Sequence, residues 1–345
     1  MPKMQMRDYV LALALLCFLF GGALMLSRLG TQPPQQWDMS LPWSLSEFHT
    51  ANAQRFADEA AKVTDGRVTI TVHPGAVLGI KGPDSLRALE NNVVAMAEMS
   101  GFQQIGSEPI LGLEALPFLV DDLDELDLLY TKFLRPTVDE AFARYGLKLL
   151  YVVPWPNQYL YTKRAEDSLA GFARMKVRTL DKNTTDLMER LGFIPIQMPS
   201  PDVVPALASG AIDATMTSAT TGVAQKYWEF LGFAYATNHN WASNMMAVSQ
   251  DAWTALSEDD KETLEALAAE LEPQFWAIAK SDDVKQRKIL AQNGMQIITP
   301  DAEMQAQMRS VARPMWREFA DRVPGARAIL EAYLAETGRP ALDAR

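Results

Sequence analysis

The sequence predicts an α/β fold of two lobes with a ligand cleft between them, on three observations. Short apolar strands alternate with amphipathic helices from Trp37 onward, the alternation comes as two separate βα series, and one helical stretch near the C-terminus is long enough to bridge both. The chain has 345 residues, more than one hydrophobic core usually serves, which favours two lobes.

The first series opens with a strand over 38–41. A helix follows over 46–63, where Phe48, Ala51, Ala53, Phe56 and Ala60 fall near helical spacing. Asp65-Gly66 marks a turn, and 67–72 alternates as a half-buried strand does. Residues 83–91 read as helix and 93–99 as strand. Helices over 124–133 and 136–145 lead to a strand over 148–153. The acidic stretch 121–127 has the composition of a helix N-terminal turn with a solvated face, where carboxylates suit the dipole; it lacks the glycine-containing loop of a calcium site.

The second series begins at Tyr159. Strand 175–180, helix 184–191, strand 193–197, helix 202–209 and strand 211–215 repeat the alternation, and 243–249 is a further strand. The long helix spans 258 to about 293. Ser257 stands at its start with Asp260 three residues on, a near capping box, and Pro273 is expected to kink or divide it. A short strand over 295–298 and helices over 301–322 and 326–335 complete the chain. In such folds the ligand sits beyond the carboxyl ends of the strands and is trapped when a hinge closes.

The formal charge is −11 and no Lys/Arg-rich block follows the N-terminus, which argues against nucleic acid as a partner. Lys3 and Arg7 precede an apolar run over 9–26, the charged-then-apolar order of an export signal. The run is long enough to span a bilayer, and no A-x-A site follows; a cut after Ala23 would put Gly21 at the minus-three position. Residues 1–28 therefore read as a signal peptide or signal anchor that meets the inner membrane at least during export. Residues 29–36 read as a polar spacer, and the remainder as periplasmic. Cys17, the only cysteine, lies in the apolar run behind Leu16, where a lipoprotein site needs a small residue; it reads as one more apolar side chain. With one cysteine no disulfide and no thiolate metal cluster forms within the chain.

Catalytic patterns are absent. His49, His73 and His239 have no metal-binding spacing, and the sequence contains no G-x-S-x-G, phosphate-binding glycine loop or G-x-G-x-x-G after a strand. His73 reads as a loop residue at a strand end and His49 as a solvated or capping residue. His239 is the best placed of the three for a ligand contact. No enzyme activity, cofactor or metal is expected.

Several stretches carry a family resemblance. They are Phe56-Ala57-Asp58 through Thr64-Asp65-Gly66-Arg67-Val68, Val72-His73-Pro74-Gly75-Ala76-Val77-Leu78-Gly79, Leu116-Pro117-Phe118-Leu119, Met175-Lys176-Val177-Arg178, Leu191-Gly192-Phe193-Ile194-Pro195, and Ala206-Leu207 with Gly210-Ala211-Ile212-Asp213. In order and spacing the set resembles the DctP-type solute-binding subunits of TRAP (tripartite ATP-independent periplasmic) transporters. The resemblance implies a two-lobed periplasmic binding protein fold, with lobe I formed by 37–156 and about 244–283, and lobe II by 157–243 and about 284–340. It implies capture of a small carboxylate and delivery to membrane permease subunits; a membrane-anchored sensory binder is the alternative that the long apolar run suggests, and a secreted enzyme on the same scaffold is a third.

The family's carboxylate-gripping arginine falls on Arg178, whose planar fork suits bidentate pairing. Some relatives carry a second arginine in the region that here reads Asn157-Gln158, which implies a ligand with one carboxylate plus hydroxyl, keto or amide groups. Asp202 and Val204 stand where many relatives have Glu and Tyr, and Ala214 where they have Gly. The candidate ligand contacts are Gln158 of the Asn157-Gln158 region, Trp43, Phe102, Gln103 and Trp155 at carboxyl strand ends, Thr217 and Ser218 in the hydroxyl-bearing loop 216–221 after strand 211–215, and Trp241 and Asn244 at the start of another strand, aromatic walls with a few polar groups being what such pockets need.

Overall fold

A computed structural model describes residues 33–344. The export segment 1–28, Cys17 within it and the start of the spacer lie outside the described residues. Strands β1 (Gln35–Ser40), β2 (Val68–His73), β3 (Met96–Ser100) and β4 (Leu147–Pro154) alternate with helices α1 (Phe48–Val63), α2 (Ser85–Glu90), α3 (Leu123–Leu129) and α4 (Arg135–Arg144). The second half carries β5 (Gln158–Thr162), β6 (Lys176–Thr179), α5 (Lys182–Arg190), β7 (Ile194–Gln197), α6 (Val203–Ser209), β8 (Ala214–Ser218), α7 (Ala219–Ala224) and β9 (Phe233–Tyr235). Then come β10 (Ser243–Ser249), α8 (Gln250–Thr254), the long α9 (Glu258–Gln292), β11 (Gln296–Ile298), α10 (Ala302–Ser310), α11 (Ala312–Arg322) and α12 (Ala326–Glu336).

These strands make two sheets, one for each lobe, ordered β2-β1-β3-β10-β4 and β11-β9-β5-β8-β6-β7. β10 follows the strands of the second sheet in sequence yet returns to the first, antiparallel to both β3 and β4. Helix α9 ties the lobes together. Its first part is held by lobe I: Arg67 Nε donates to Asp260 (2.9 Å), Arg135 Nη1 to Glu272 (3.3 Å) and Trp276 Nε1 to the Val152 carbonyl (2.8 Å). Its last part is held by lobe II, where Thr220 and Tyr159 donate to Asp282 and Asp283. Helices α10–α12 touch both: Trp316 Nε1 donates to the Pro117 carbonyl (2.8 Å), while Glu318 pairs with Arg190.

Most elements match the expected ones to within a few residues, and the differences have identifiable causes. β1 begins at Gln35, so the last two residues of the expected spacer pair with Val68 and Thr69. The helices expected over 124–133 and 136–145 are joined by a π turn over Tyr130–Leu134, with Pro136 placed in the first turn of α4, where its missing N–H costs nothing. Asp122 caps α3 by accepting from the Glu125 N–H (2.9 Å), so the acidic stretch is a helix start. Pro273 does not divide α9: Leu271 and Phe275 beside it are buried in the lobe I core, and packing there outweighs one lost backbone bond. β8 lies three residues later than expected, because Gly210 takes a left-handed conformation and the Ala211 and Ile212 N–H groups turn back to the Ala206 carbonyl as a helix cap. β5 and β9 had no expected counterpart. All five residues of β5 are buried, so the strand lacks the alternation that marks a half-exposed one.

Candidate ligand-binding site

Between the lobes lies a small cavity, partly open to solvent. Most of its walls come from the carboxyl ends of strands, where open sheets place their ligands: Trp43 follows β1, Phe102 and Gln103 follow β3, Trp155 follows β4, Leu180 follows β6 and Thr217 lies in β8, while Gln158 opens the antiparallel β5 and Ala242 precedes the antiparallel β10. A Cβ at Gly82 would meet Gln103 Oε1 at 2.0 Å, so the Gln103 amide lies directly over this glycine and would have to move for any larger residue.

Arg178 is the only charged side chain in this lining and is 2% exposed. Its Nε donates to the Met198 carbonyl (3.0 Å) and its Nη1 to the Met216 carbonyl (3.1 Å). A guanidinium carries five N–H donors, so several remain for a ligand. Burial lowers its pKa, with Tyr227 and Asp181 pushing back. Asp181 is itself fully buried as the N-cap of α5, its carboxyl pushed up to about 6 by burial against its bonds to Thr184. A buried cation against carbonyls and aromatic rings, with no carboxylate in the cavity lining, is a site built for an anion.

Of the residues the sequence brings forward, Arg178, Gln158, Trp43, Phe102, Gln103, Trp155 and Thr217 meet around this cavity. Ser218, Trp241 and Asn244 are buried outside its lining. Ser218 caps α7 by accepting from the Thr221 N–H, and Trp241 packs in the core. Asn244 is a supporting residue: its Oδ1 accepts from Ser100 Oγ and from Trp155 Nε1 (2.7 Å), fixing the Trp155 ring. Replacing Asn244 by Ala leaves two buried donors unpaired, and ligand affinity is expected to fall roughly tenfold. Titration calorimetry of the variant, with unfolding of the empty protein as a control for folding, checks this.

The histidines depart from expectation. His49 is neither solvated nor capping: it is fully buried, 3.3 Å from Glu98, with its ring 4.1 Å from the rings of both Phe48 and Trp155. Its place on the inner face of α1, one residue after Phe48, puts it behind the cavity wall. His239 is fully buried outside the cavity lining, its Nδ1 2.7 Å from Thr237 Oγ1, and burial pushes it down to about 3, a neutral ring. His73 ends β2 with Nε2 2.7 Å from Asp38. Among the described residues no group of three or more His, Cys, Asp or Glu is arranged to hold a metal ion.

Leu180, Ser200, Thr221 and Ala242 also line the cavity and had not been singled out as contacts. Ser200 follows β7, so the strand-end rule that led to the tryptophans would have found it. Among the described residues, side-chain bonds cross the cleft at several points. Thr221 Oγ1 donates to Glu47 (2.8 Å), Asn183 Nδ2 donates to the Gly112 carbonyl (2.9 Å), and Lys81 pairs with Asp202 (3.1 Å). Asp202 thus holds the rim of the cleft. Both partners of that pair are nearly half exposed, so it is worth at most about 1 kcal/mol.

Residues 39–322 match the family model described as bacterial extracellular solute-binding protein, family 7 (DctP). Among solved structures the chain is similar to DctP7, a Bordetella pertussis extracytoplasmic solute receptor binding pyroglutamic acid, at 25% identity and a TM-score of 0.84 over 87% of this chain and 99% of that one. It is similar also to a marine metagenome TRAP solute-binding protein specific for pyroglutamate, at 27% identity and a TM-score of 0.83 over 88% and 99% of the two chains. The C4-dicarboxylate-binding periplasmic protein DctP of Rhodobacter capsulatus is 25% identical over 80% of this chain and 84% of its own.

Proposed function

This chain belongs to the DctP family of bacterial extracellular solute-binding proteins, and from that premise we propose that it is the extracytoplasmic receptor of a TRAP-type transporter, capturing a small monocarboxylate by cleft closure and delivering it to the membrane permease. The observation that carries the ligand class is Arg178: one buried guanidinium with free donors in an otherwise uncharged cavity. A second carboxylate would meet no cation, because Gln158 is neutral and no other charged side chain lines the space. Trp43, Phe102 and Trp155 cover the body of the ligand, while Thr217 and Gln158 meet its polar groups. Pyroglutamate, with one carboxylate and one lactam, fits these demands and is bound by two of the similar receptors.

In this reading lobe I (37–156 with 244–283) and lobe II (157–243 with 284–340) close on the acid, and residues 1–28 direct the chain across the inner membrane. Among the described residues no helix is long and apolar enough to cross a membrane. The test is thermal denaturation with a panel of acids. A true ligand at a hundred times its Kd adds about 2.7 kcal/mol of stability. The reading expects such a gain for pyroglutamate or another small monocarboxylate, with dicarboxylates weaker. A panel in which only uncharged solutes stabilise the protein would sink it.

A further inference from the structure

The cavity's hydrogen-bonding polarity is set by residues outside its lining. Glu47 lies in the turn between β1 and α1 and is 4% exposed. Its Oε2 accepts from the Ser44 N–H (2.7 Å), and its Oε1 accepts from Thr221 Oγ1 across the cleft (2.8 Å). A hydroxyl has one proton. With that proton committed to an ionised Glu47, Thr221 offers the cavity only lone pairs. Gln158 is committed only in part. Its Nε2 donates one of its two N–H groups to the Pro156 carbonyl (2.8 Å), which leaves one N–H and the carbonyl oxygen. The cavity therefore has its charged donor at Arg178 and, at Thr221, a hydroxyl that can only accept.

We propose that Thr221, oriented by Glu47 of the opposite lobe, is a specificity-determining residue that selects carboxylates bearing an N–H or O–H donor over isosteric acids bearing only acceptors. The inference rests on the carboxylate reading above and goes further, assigning the second recognition element and its polarity. A site built to bond a ligand donor rejects the analogue without it, because its buried acceptors are left unpaired. The Glu47–Thr221 bond joins the two lobes, so donor reading belongs to the closed state, after Arg178 has engaged the carboxylate.

Two probe pairs test this by calorimetry on the full chain: 5-oxopyrrolidine-2-carboxylate against its lactone 5-oxotetrahydrofuran-2-carboxylate, and a 2-hydroxy acid against the matching 2-oxo acid. Burial raises the Glu47 pKa, so the titrations are run from pH 6 to pH 9, and the preference is expected to strengthen toward the alkaline end as Glu47 ionises. The unsubstituted protein is expected to prefer the donor-bearing member of a pair by about tenfold or more. Thr221→Val, nearly the same shape, is expected to cut that preference at least fivefold. In Glu47→Gln the Ser44 N–H still requires an oxygen, which turns the amide nitrogen toward Thr221. The nitrogen then donates to Oγ1 and releases the hydroxyl proton into the cavity, so the acceptor-only acids gain relative to the others. Equal binding of both members of each pair by the unsubstituted protein, or a preference unchanged in both variants, overturns the inference and leaves the carboxylate reading standing. Failure of all four acids to bind overturns both.

Discussion

Arg178→Met is expected to raise the Kd for the carboxylate ligand by about 150- to 5,000-fold, the equivalent of roughly 3–5 kcal/mol for breaking a buried, hydrogen-bonded ion pair. The size of the effect follows from where the guanidinium sits. It is 2% exposed, backed by two backbone carbonyls, and the closed cleft keeps water from screening its charge. Without it the ligand's carboxylate is buried against aromatic rings with nothing to balance it. Stability without ligand should behave differently. Methionine removes a buried charge whose pKa is already lowered by lost hydration, which favours the variant; the Met198 and Met216 carbonyls lose their donor, which opposes it. The two contributions oppose each other, so unfolding of the empty protein is expected to shift by no more than about 2 kcal/mol. Arg178→Lys keeps the charge and loses the planar fork, and should lie between, about tenfold weaker than Arg. If the Met variant bound the acid within threefold of the parent, or lost most of its empty-state stability, Arg178 would be a structural residue and the ligand's anchor would lie elsewhere.

The parts of this fold that the sequence made legible are those whose physics is local. β10 matches its expected limits of 243–249, and α1 and α9 fall within two residues of theirs, because caps, turns and helical spacing are written in neighbouring residues. The strand-end positions of Trp43, Phe102, Trp155 and Arg178 were legible for the same reason, helped by the family resemblance. What stayed hidden depends on distant pairing. Glu47 and Thr221 are 174 residues apart, and no local pattern marks either as the other's partner. His49 reads as polar until Phe48, Trp155 and Glu98 enclose it, and Asn244 reads as a ligand contact until Trp155 takes its oxygen. β5 carries Gln158 into the cavity from a strand buried on both faces, where alternation gives no signal. A polar residue near a strand end was therefore readable as near the site, whereas whether it lines the cavity or props up the lining was decided by tertiary packing.

Glu114→Gln is expected to stabilise the protein by roughly 3 kcal/mol at pH 8 and to change little near pH 4.5. Glu114 is fully buried between Leu113 and Ala115, and its oxygens accept from the Ser243 N–H (2.7 Å) and Ser243 Oγ (2.8 Å), tying this loop to the start of β10. Those two bonds favour the ionised form, but loss of hydration outweighs them and pushes the carboxyl up to about 7. Unfolded, it titrates near the ordinary glutamate value of 4.5. Between these two pH values the folded state holds a proton that the unfolded state has released, so stability falls as pH rises through the window and levels off above about 7. Glutamine has no proton to lose, and its amide presents an oxygen to the Ser243 N–H and a donor to Ser243 Oγ. The difference between variant and parent isolates this titration. That matters because Asp181, raised to about 6, acts in the same direction, while His239, lowered to about 3, makes stability rise with pH from its own folded value to about 6.5. Denaturant unfolding of both proteins at pH 5 and pH 8 checks it. A gap between them that fails to widen toward pH 8, or a variant that is the less stable there, would mean that the Ser243 bonds, rather than desolvation, govern this carboxylate.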